Sequence, residues 1–172
     1  GGYPGPLREM AGVWVEEIDA LAPEQTNEVK FTDGTTASCN LLCDLMHLED
    51  AEALATYEKN FYAGMPAATR NTYGEGAAYY VGTQMDAAGL AKILDRAVGE
   101  VGVKAVIPET TGLEVTCRTS DDTRYYYVMN FKDEDQVLPE SLAGKTDLIS
   151  GEVIPAGTVL KKWDVLILQE AK

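Results

Sequence analysis

The sequence predicts a strand-rich α/β fold followed by a small antiparallel β-sandwich. Three observations lead there. Residues 13–83 break into short alternating or tyrosine- and valine-rich runs separated by turn signals, the pattern of half-buried strands. Residues 86–99 repeat apolar side chains at steps of three and four and read as the one convincing helix. Beyond a Gly/Pro-punctuated connector, about 60 residues of short strands and turns return no helical period, which suits a small sandwich.

In chain order, Gly2-Tyr-Pro-Gly-Pro6 is a turn-rich opening, and Pro6 fits the first position of a short helix over 7–11 closed by Gly12. Residues 13–18 alternate like a strand, with no evident partner. So abrupt a start leads us to expect that the parent chain extends upstream. Residues 22–27 form a polar loop. Residues 28–31 and 35–39 face each other across Thr32-Asp33-Gly34, where Asp-Gly is a strong hairpin signal. Residues 41–48 and 51–57 read as two further strands joined around Glu49-Asp50, residues 60–64 turn the chain, and 66–69 lead onward.

The organising stretch is 71–83. Tyr73-Gly-Glu-Gly76 makes a tight turn, 77–81 a buried strand and 82–85 a bend. Asp86 N-caps a helix whose Ala87, Leu90, Ile93, Leu94, Ala97, Val98 and Val101 are expected to pack back on the strand as one stripe. The glycines precede the strand. A phosphate-binding loop needs them between strand and helix, so a nucleotide site is not expected. The connector, with Gly99, Gly102 and 108–112, sets the domain boundary, giving domains 1–104 and 105–172. In the second, strands are expected at 113–119, 124–131, 145–149, 152–154, 158–162 and 163–168, with a charged loop at 132–136.

The 172 residues carry 14 Lys and Arg against 28 Asp and Glu, a net charge of −14. That excess repels nucleic acid and anionic membranes, and no apolar run approaches the ~20 residues of a membrane span. The first residues show neither the basic start nor the apolar core of a signal peptide, so a cytoplasmic protein is expected. Cys39, Cys43 and Cys117 then read as reduced thiols. A zinc site from Cys39, Cys43 and His47 lacks an evident fourth ligand.

Catalytic constellations are thin. His47 is the only histidine, and no serine sits in a nucleophile elbow. The carboxylates Glu16, Glu17, Asp19, Glu49 and Asp50 invite a glycosidase pair. Glu16 and Glu17, however, are neighbours on a strand and are expected to face opposite ways. Glu49-Asp50 looks like a solvated turn, and Glu75 between two glycines like an exposed turn residue. Asp121-Asp122 and 133–135 lack calcium-loop spacing. Tyr79, Tyr80, Tyr125, Tyr126 and Tyr127 suit sugar stacking, but their strand positions favour packing. No residue is assigned a catalytic, cofactor-binding or metal role, and no cofactor is expected.

Gly1-Gly-Tyr-Pro-Gly-Pro-Leu-Arg8 followed by Gly12-Val-Trp-Val-Glu-Glu-Ile-Asp19 resembles the later part of the trimerisation domain of glycoside hydrolase family 42 β-galactosidases. Ala53-Leu-Ala-Thr-Tyr57, Phe61-Tyr-Ala-Gly-Met-Pro-Ala67, Thr69-Arg-Asn71 and 74–83 continue the resemblance in order. Residues 115–122, 125–130 and 146–152 resemble the β-domain that ends those enzymes. The resemblance implies a partial flavodoxin-like, class I glutamine-amidotransferase-like domain whose parallel strands are mostly absent. It also implies a retaining two-glutamate site for terminal non-reducing β-D-galactosides on a (β/α)8 barrel. Such a barrel needs roughly 250 residues, so no catalytic residue is carried over, and amidotransferase activity is unsupported. The reading is a non-catalytic oligomerisation and accessory fragment, self-associating as in a homotrimeric parent. The alternative is a carbohydrate-binding module using exposed Tyr and Trp, including Trp14 and Trp163.

Overall fold

Turns of two or three residues return a strand antiparallel to its predecessor, whereas a parallel neighbour needs a crossover of a dozen or more. The computed structural model describes residues 3–109 and 111–172, and there every strand pair is antiparallel. Gly1 and Gly2 of the opening motif and Thr110 of the connector lie outside the described residues. The chain divides into two units, Gly1–Gly102 and Val103–Lys172.

The first unit begins with a 3-10 turn, Gly5–Leu7, running into α1, Arg8–Ala11. Gly12, at φ 64, ends α1 by donating to Arg8 O at 2.8 Å. Then come β1 (Val13–Ala20), β2 (Asn27–Phe31), β3 (Thr36–Leu48), β4 (Glu52–Tyr57), β5 (Pro66–Tyr73), β6 (Gly76–Val81), β7 (Thr83–Met85) and α2 (Ala87–Glu100). The sheet order is β1-β3-β2-β4-β5-β6, with β7 paired to β3. The Asp33-Gly34 hairpin forms as expected: Gly34, at φ 85, donates to Phe31 O at 2.9 Å.

Three expectations are corrected. The strands read at 35–39 and 41–48 are one strand, β3, bent at Leu41 (φ 69). Between the pairs Asn40↔Gln84 and Cys43↔Thr83, β3 advances three residues while β7 advances one. The surplus backbone bulges outward, and Leu41 is 59% exposed. The bend read at 82–85 is strand β7, held because Thr83 Oγ1 donates to Leu42 O at 2.6 Å. And β1 does have its partner in the chain, pairing with β3 from Val13↔Leu48 to Ala20↔Leu42.

The flavodoxin-like element of the fold reading is not reproduced by this chain's own strands. The seven strands are joined in succession by six turns or short loops, and α2 comes only after the last of them, so it joins no two strands of the sheet. What stands is a strand-rich, antiparallel fold with few helices.

Two cores flank β3. Cys39, Cys43 and Leu45 join Val29, Phe31, Leu54, Tyr57, Tyr62 and Ile93 on the α2 side. Met46 joins Ala11, Val13 and Val15 on the α1 side. Residues 43–46 are therefore all buried, and the simple alternation of a half-exposed strand is lost there.

The second unit holds β8 (Glu114–Thr119), β9 (Thr123–Met129), β10 (Gln136–Val137), β11 (Thr146–Asp147), β12 (Val159–Leu160) and β13 (Val165–Ala171). A four-stranded sheet, β11-β13-β9-β8, and a two-stranded ribbon, β10-β12, surround one core of Ile107, Tyr126, Val128, Leu138, Leu142, Ile154, Leu160 and Leu168. Buried Asn130 staples the ribbon side: its Nδ2 donates to the carbonyls of Glu134, Leu160 and Lys161, and its Oδ1 accepts from Lys132 N. The strand expected at 163–168 starts at Val165 instead, because Trp163 sits in the left-handed region at φ 64. Residues 152–154 contribute only a bridge, Val153 to Thr146.

Gly12 is the joint of the first unit. Its carbonyl accepts from the amides of Glu49, Asp50 and Ala51, and a Cβ there would stand 2.7 Å from both Ala51 N and Asn71 Cγ. Asn71 Nδ2 meanwhile donates to the α1 carbonyls of Glu9 and Met10. Gly12→Ala combines a left-handed backbone with a clash against main chain, so we expect a loss of about 2 kcal/mol or more. Urea unfolding read by tryptophan fluorescence and circular dichroism measures it; a midpoint equal to wild type would contradict this view of the joint.

Candidate functional site

Helix α2 is where the first unit's chemistry and its exposed apolar surface meet. Asp86 starts it: one carboxylate oxygen accepts from Gly89 N at 2.8 Å, and the other from Ser38 N of β3 at 2.9 Å. Those amide donors, Gly89 first, hold the Asp86 carboxyl below its ordinary range. Gly89 then lets the helix approach, since a Cβ would lie 2.6 Å from Ala37 Cβ.

With 3.6 residues per turn, Gly89, Ile93 and Ala97 share one face, and Gly89 and Ile93 are the helix's buried residues. Lys92 and Arg96 lie on one flank. Lys92 pairs with Asp33, and Arg96 Nη2 reaches Glu52 Oε1 at 2.9 Å. Arg70 of β5 holds Glu100 through its Nε at 2.9 and 3.0 Å, and Arg96 meets Glu100 at 3.3 Å. This lattice ties β4, β5 and α2 together, and its charges satisfy one another.

The opposite flank is apolar and open. Leu90, Leu94 and Val98 are 42%, 53% and 44% exposed, and Val101 just beyond is 72% exposed. The expected single stripe packed on the strand is thus corrected. The apolar positions cover a wider arc than the sheet can take, and only its Ile93 edge is buried. A cleft of about 370 Å³ elsewhere in the unit is lined by Asp19, Leu21, Gln25, Asn60 and Phe61.

The residues weighed for catalysis are mostly engaged in local structure. Glu16 is the extra residue of a bulge between Val15 and Glu17, and its Oε2 lies 2.7 Å from His47 Nε2. His47 stacks on Trp14 with centroids 4.6 Å apart. Asp19 accepts from the Tyr62 hydroxyl at 2.8 Å, and Glu49 pairs with Arg8. Glu17, Asp50 and Glu75 are exposed. Asp122 accepts from Thr123 Oγ1, and Asp135 from Lys162 N. Among the described residues no group of three or more His, Cys, Asp or Glu is placed to hold a metal. Cys39 and Cys43 are buried free thiols, with Cys43 Sγ 3.8 Å from Thr83 Oγ1. The neighbouring Cys43 thiol, then burial, pushes Cys39 above the ordinary thiol range.

The tyrosines put forward for sugar stacking are divided. Tyr80 donates to buried Asp44 at 2.7 Å, and Tyr126 to Glu170 at 2.9 Å, where Lys145 also pairs with Glu170. Tyr79, Tyr125 and Tyr127 are half-buried, while Trp163 is 61% exposed on its turn. No described helix is long and apolar enough to cross a membrane.

Sequence reading missed the open flank of α2. The signal was there: at 3.6 residues per turn the apolar positions from Ile93 round to Ala91 cover roughly 160° of the helix, more than the ~100° stripe that one neighbour requires.

Residues 1–104 match the sequence family described as the beta-galactosidase trimerisation domain, and residues 112–170 the beta-galactosidase C-terminal domain. Beta-galactosidase LacA of Lactobacillus acidophilus is 41% identical over 170 residues, covering 98% of this chain and 25% of that protein. Beta-galactosidase BgaA of Planococcus sp. is 40% identical over 173 residues, covering 98% and 26%. The crystal structure of a β-galactosidase from Bacillus circulans sp. alkalophilus superposes with a TM-score of 0.83 at 38% identity, over 99% of this chain and 26% of that one. The β-galactosidase of Rahnella sp. R3 gives 0.78 at 32% identity, over 100% and 26%. The chain spans about a quarter of the length of the curated relatives it matches.

Asp44 is the buried carboxylate of the first unit, 5% exposed, and burial raises its pKa against the opposing hydrogen bond from Tyr80. A carboxyl raised in the folded state is most favourable where it is protonated, below the ordinary value of about 3.9, and it costs stability as pH climbs through that value. Asp44→Asn keeps an acceptor for Tyr80 without the charge. Its stability relative to wild type is therefore expected to improve from pH 3 to pH 7 in urea titrations. A difference independent of pH would contradict the assignment.

Proposed function

Because the chain belongs to the glycoside hydrolase family 42 β-galactosidases, matching their trimerisation and C-terminal domains, we propose that it joins copies of its parent and contributes none of the bond-breaking groups. The observation that supports this reading is the match of residues 1–104 to a trimerisation domain, together with the open apolar flank of α2 inside it. The carboxylates point the same way. A retaining glycosidase sets two carboxyl groups about 5 Å apart around one sugar, whereas here Glu16, Asp19 and Glu49 are each taken up by a local partner.

On this reading the parent hydrolyses terminal non-reducing β-D-galactosides with two glutamates, one acid/base and one nucleophile. Both stand on a (β/α)8 barrel that, at about 250 residues, exceeds this chain. The parallel, flavodoxin-like part of the trimerisation domain also belongs to the parent. It would extend the sheet at one of its outer strands, β1 or β6. The assembled parent is a homotrimer that works in the cytoplasm, in keeping with free cysteines.

The test is direct. The purified chain, incubated with a chromogenic β-galactoside, is expected to release product no faster than buffer. Turnover that persists through further purification would overturn the non-catalytic reading.

A further inference from the structure

We propose that the open flank of α2, Leu90, Leu94, Val98 and Val101, is the surface on which a second copy of this chain docks. The inference rests on the assembly reading above and names where that assembly occurs. Lys92 and Arg96, cations that would keep a helix face in water, are both committed to ion pairs on the other flank. What remains outward is a strip of aliphatic side chains 42% to 72% exposed. Four such side chains make a patch on the order of 400 Å², the size of the largest apolar patch on a typical monomer, which is often a functional one. That is about half of the ~800 Å² per partner in a standard interface, and Ala87 and Ala91 extend it along the helix.

Charge selects the same face. Residues 1–100 hold 6 basic and 16 acidic residues, so copies repel over most of their surface. Contact is least opposed where carboxylates are scarce or neutralised: Asp95 stands at one margin of the strip, and at the other, beside Val101, stand Glu75 and Glu100, the latter paired with Arg70 and Arg96. Elsewhere in the first unit Phe61, 79% exposed, and Leu41, 59% exposed, stand on a turn and a bulge, and Tyr3, Leu7 and Met10 are exposed around α1; in the second unit Val137 and Val159 form an exposed pair. None of these lies along one helix face as the α2 strip does.

Size-exclusion chromatography with light scattering on the full 172-residue chain tests this with Leu94→Asp, Val98→Glu and the control Phe61→Asp. Both positions are already half in water, so the substitutions are expected to leave the circular dichroism spectrum intact. Should Leu94→Asp fail to fold, Val98→Glu decides. Wild type and Phe61→Asp are expected to assemble alike, with the two α2 variants at least about tenfold weaker in self-association. Variants that assemble like an assembled wild type would overturn the surface and leave the assembly reading standing, as would equal loss in Phe61→Asp. A wild type monomeric at every concentration would overturn both, and would give the strip to another part of the parent.

Discussion

The first unit depends on one thirteen-residue strand, β3, that changes partners midway. Its first residues pair with β2, its last with β1, and β7 bonds to it around the bend at Leu41. A straight strand cannot serve both partners and both cores. The left-handed residue at 41 turns the backbone, and residues 43–46 then bury side chains on both faces. The polar groups this draws inside are accounted for. Asp44 receives the Tyr80 hydroxyl, Tyr57 donates to Gly82 O at 2.9 Å, and Asp44 N donates to the same carbonyl at 2.7 Å. These groups of β3 and its neighbours are thereby paired, as a low-dielectric interior requires, whereas the buried hydroxyls of Thr69 and Tyr79 on β5 and β6 find no partner among the described residues.

The strand also positions helix α2. Asp86 caps the helix while accepting from Ser38 of β3, and Gly89 closes against Ala37. Ile93, buried in the core beneath the helix, sets the face it turns to the sheet, and the ion pairs of Lys92, Arg96 and Arg70 line the adjacent flank. A helix so fixed shows its leucines to solvent on one side, and that side has the uncharged, aliphatic character of a protein contact. In the second unit, buried Asn130 is paired with backbone carbonyls, and Lys145 and Tyr126 with the half-buried Glu170.

Much of this was legible in the sequence because short-range chemistry fixed it. Asp33-Gly34 made its hairpin, Gly12 closed α1, and Asp86 capped α2, each through a preference confined to a few neighbouring residues. The bend in β3 was not legible. Nothing in Asn40-Leu41-Leu42 marks a left-handed leucine; the bulge is imposed by pairing with β7, which is distant in sequence. The same holds for β7, read as a bend because three residues give no period. The α2 flank was half legible: its periodicity gave the helix, but which apolar residues the sheet would cover depended on where Gly89 meets Ala37, a contact between residues distant in sequence. The order of family motifs, from the Tyr3-Pro4 opening through Gly74–Thr83, pointed to the domain that the relatives then identified.

The central claim is that this chain is built for assembly. Sedimentation velocity on the purified wild-type chain over a wide concentration series tests it most directly. A discrete species at three times the 18.6 kDa chain mass is expected. A single monomeric boundary that does not shift from the lowest to the highest concentration would contradict it.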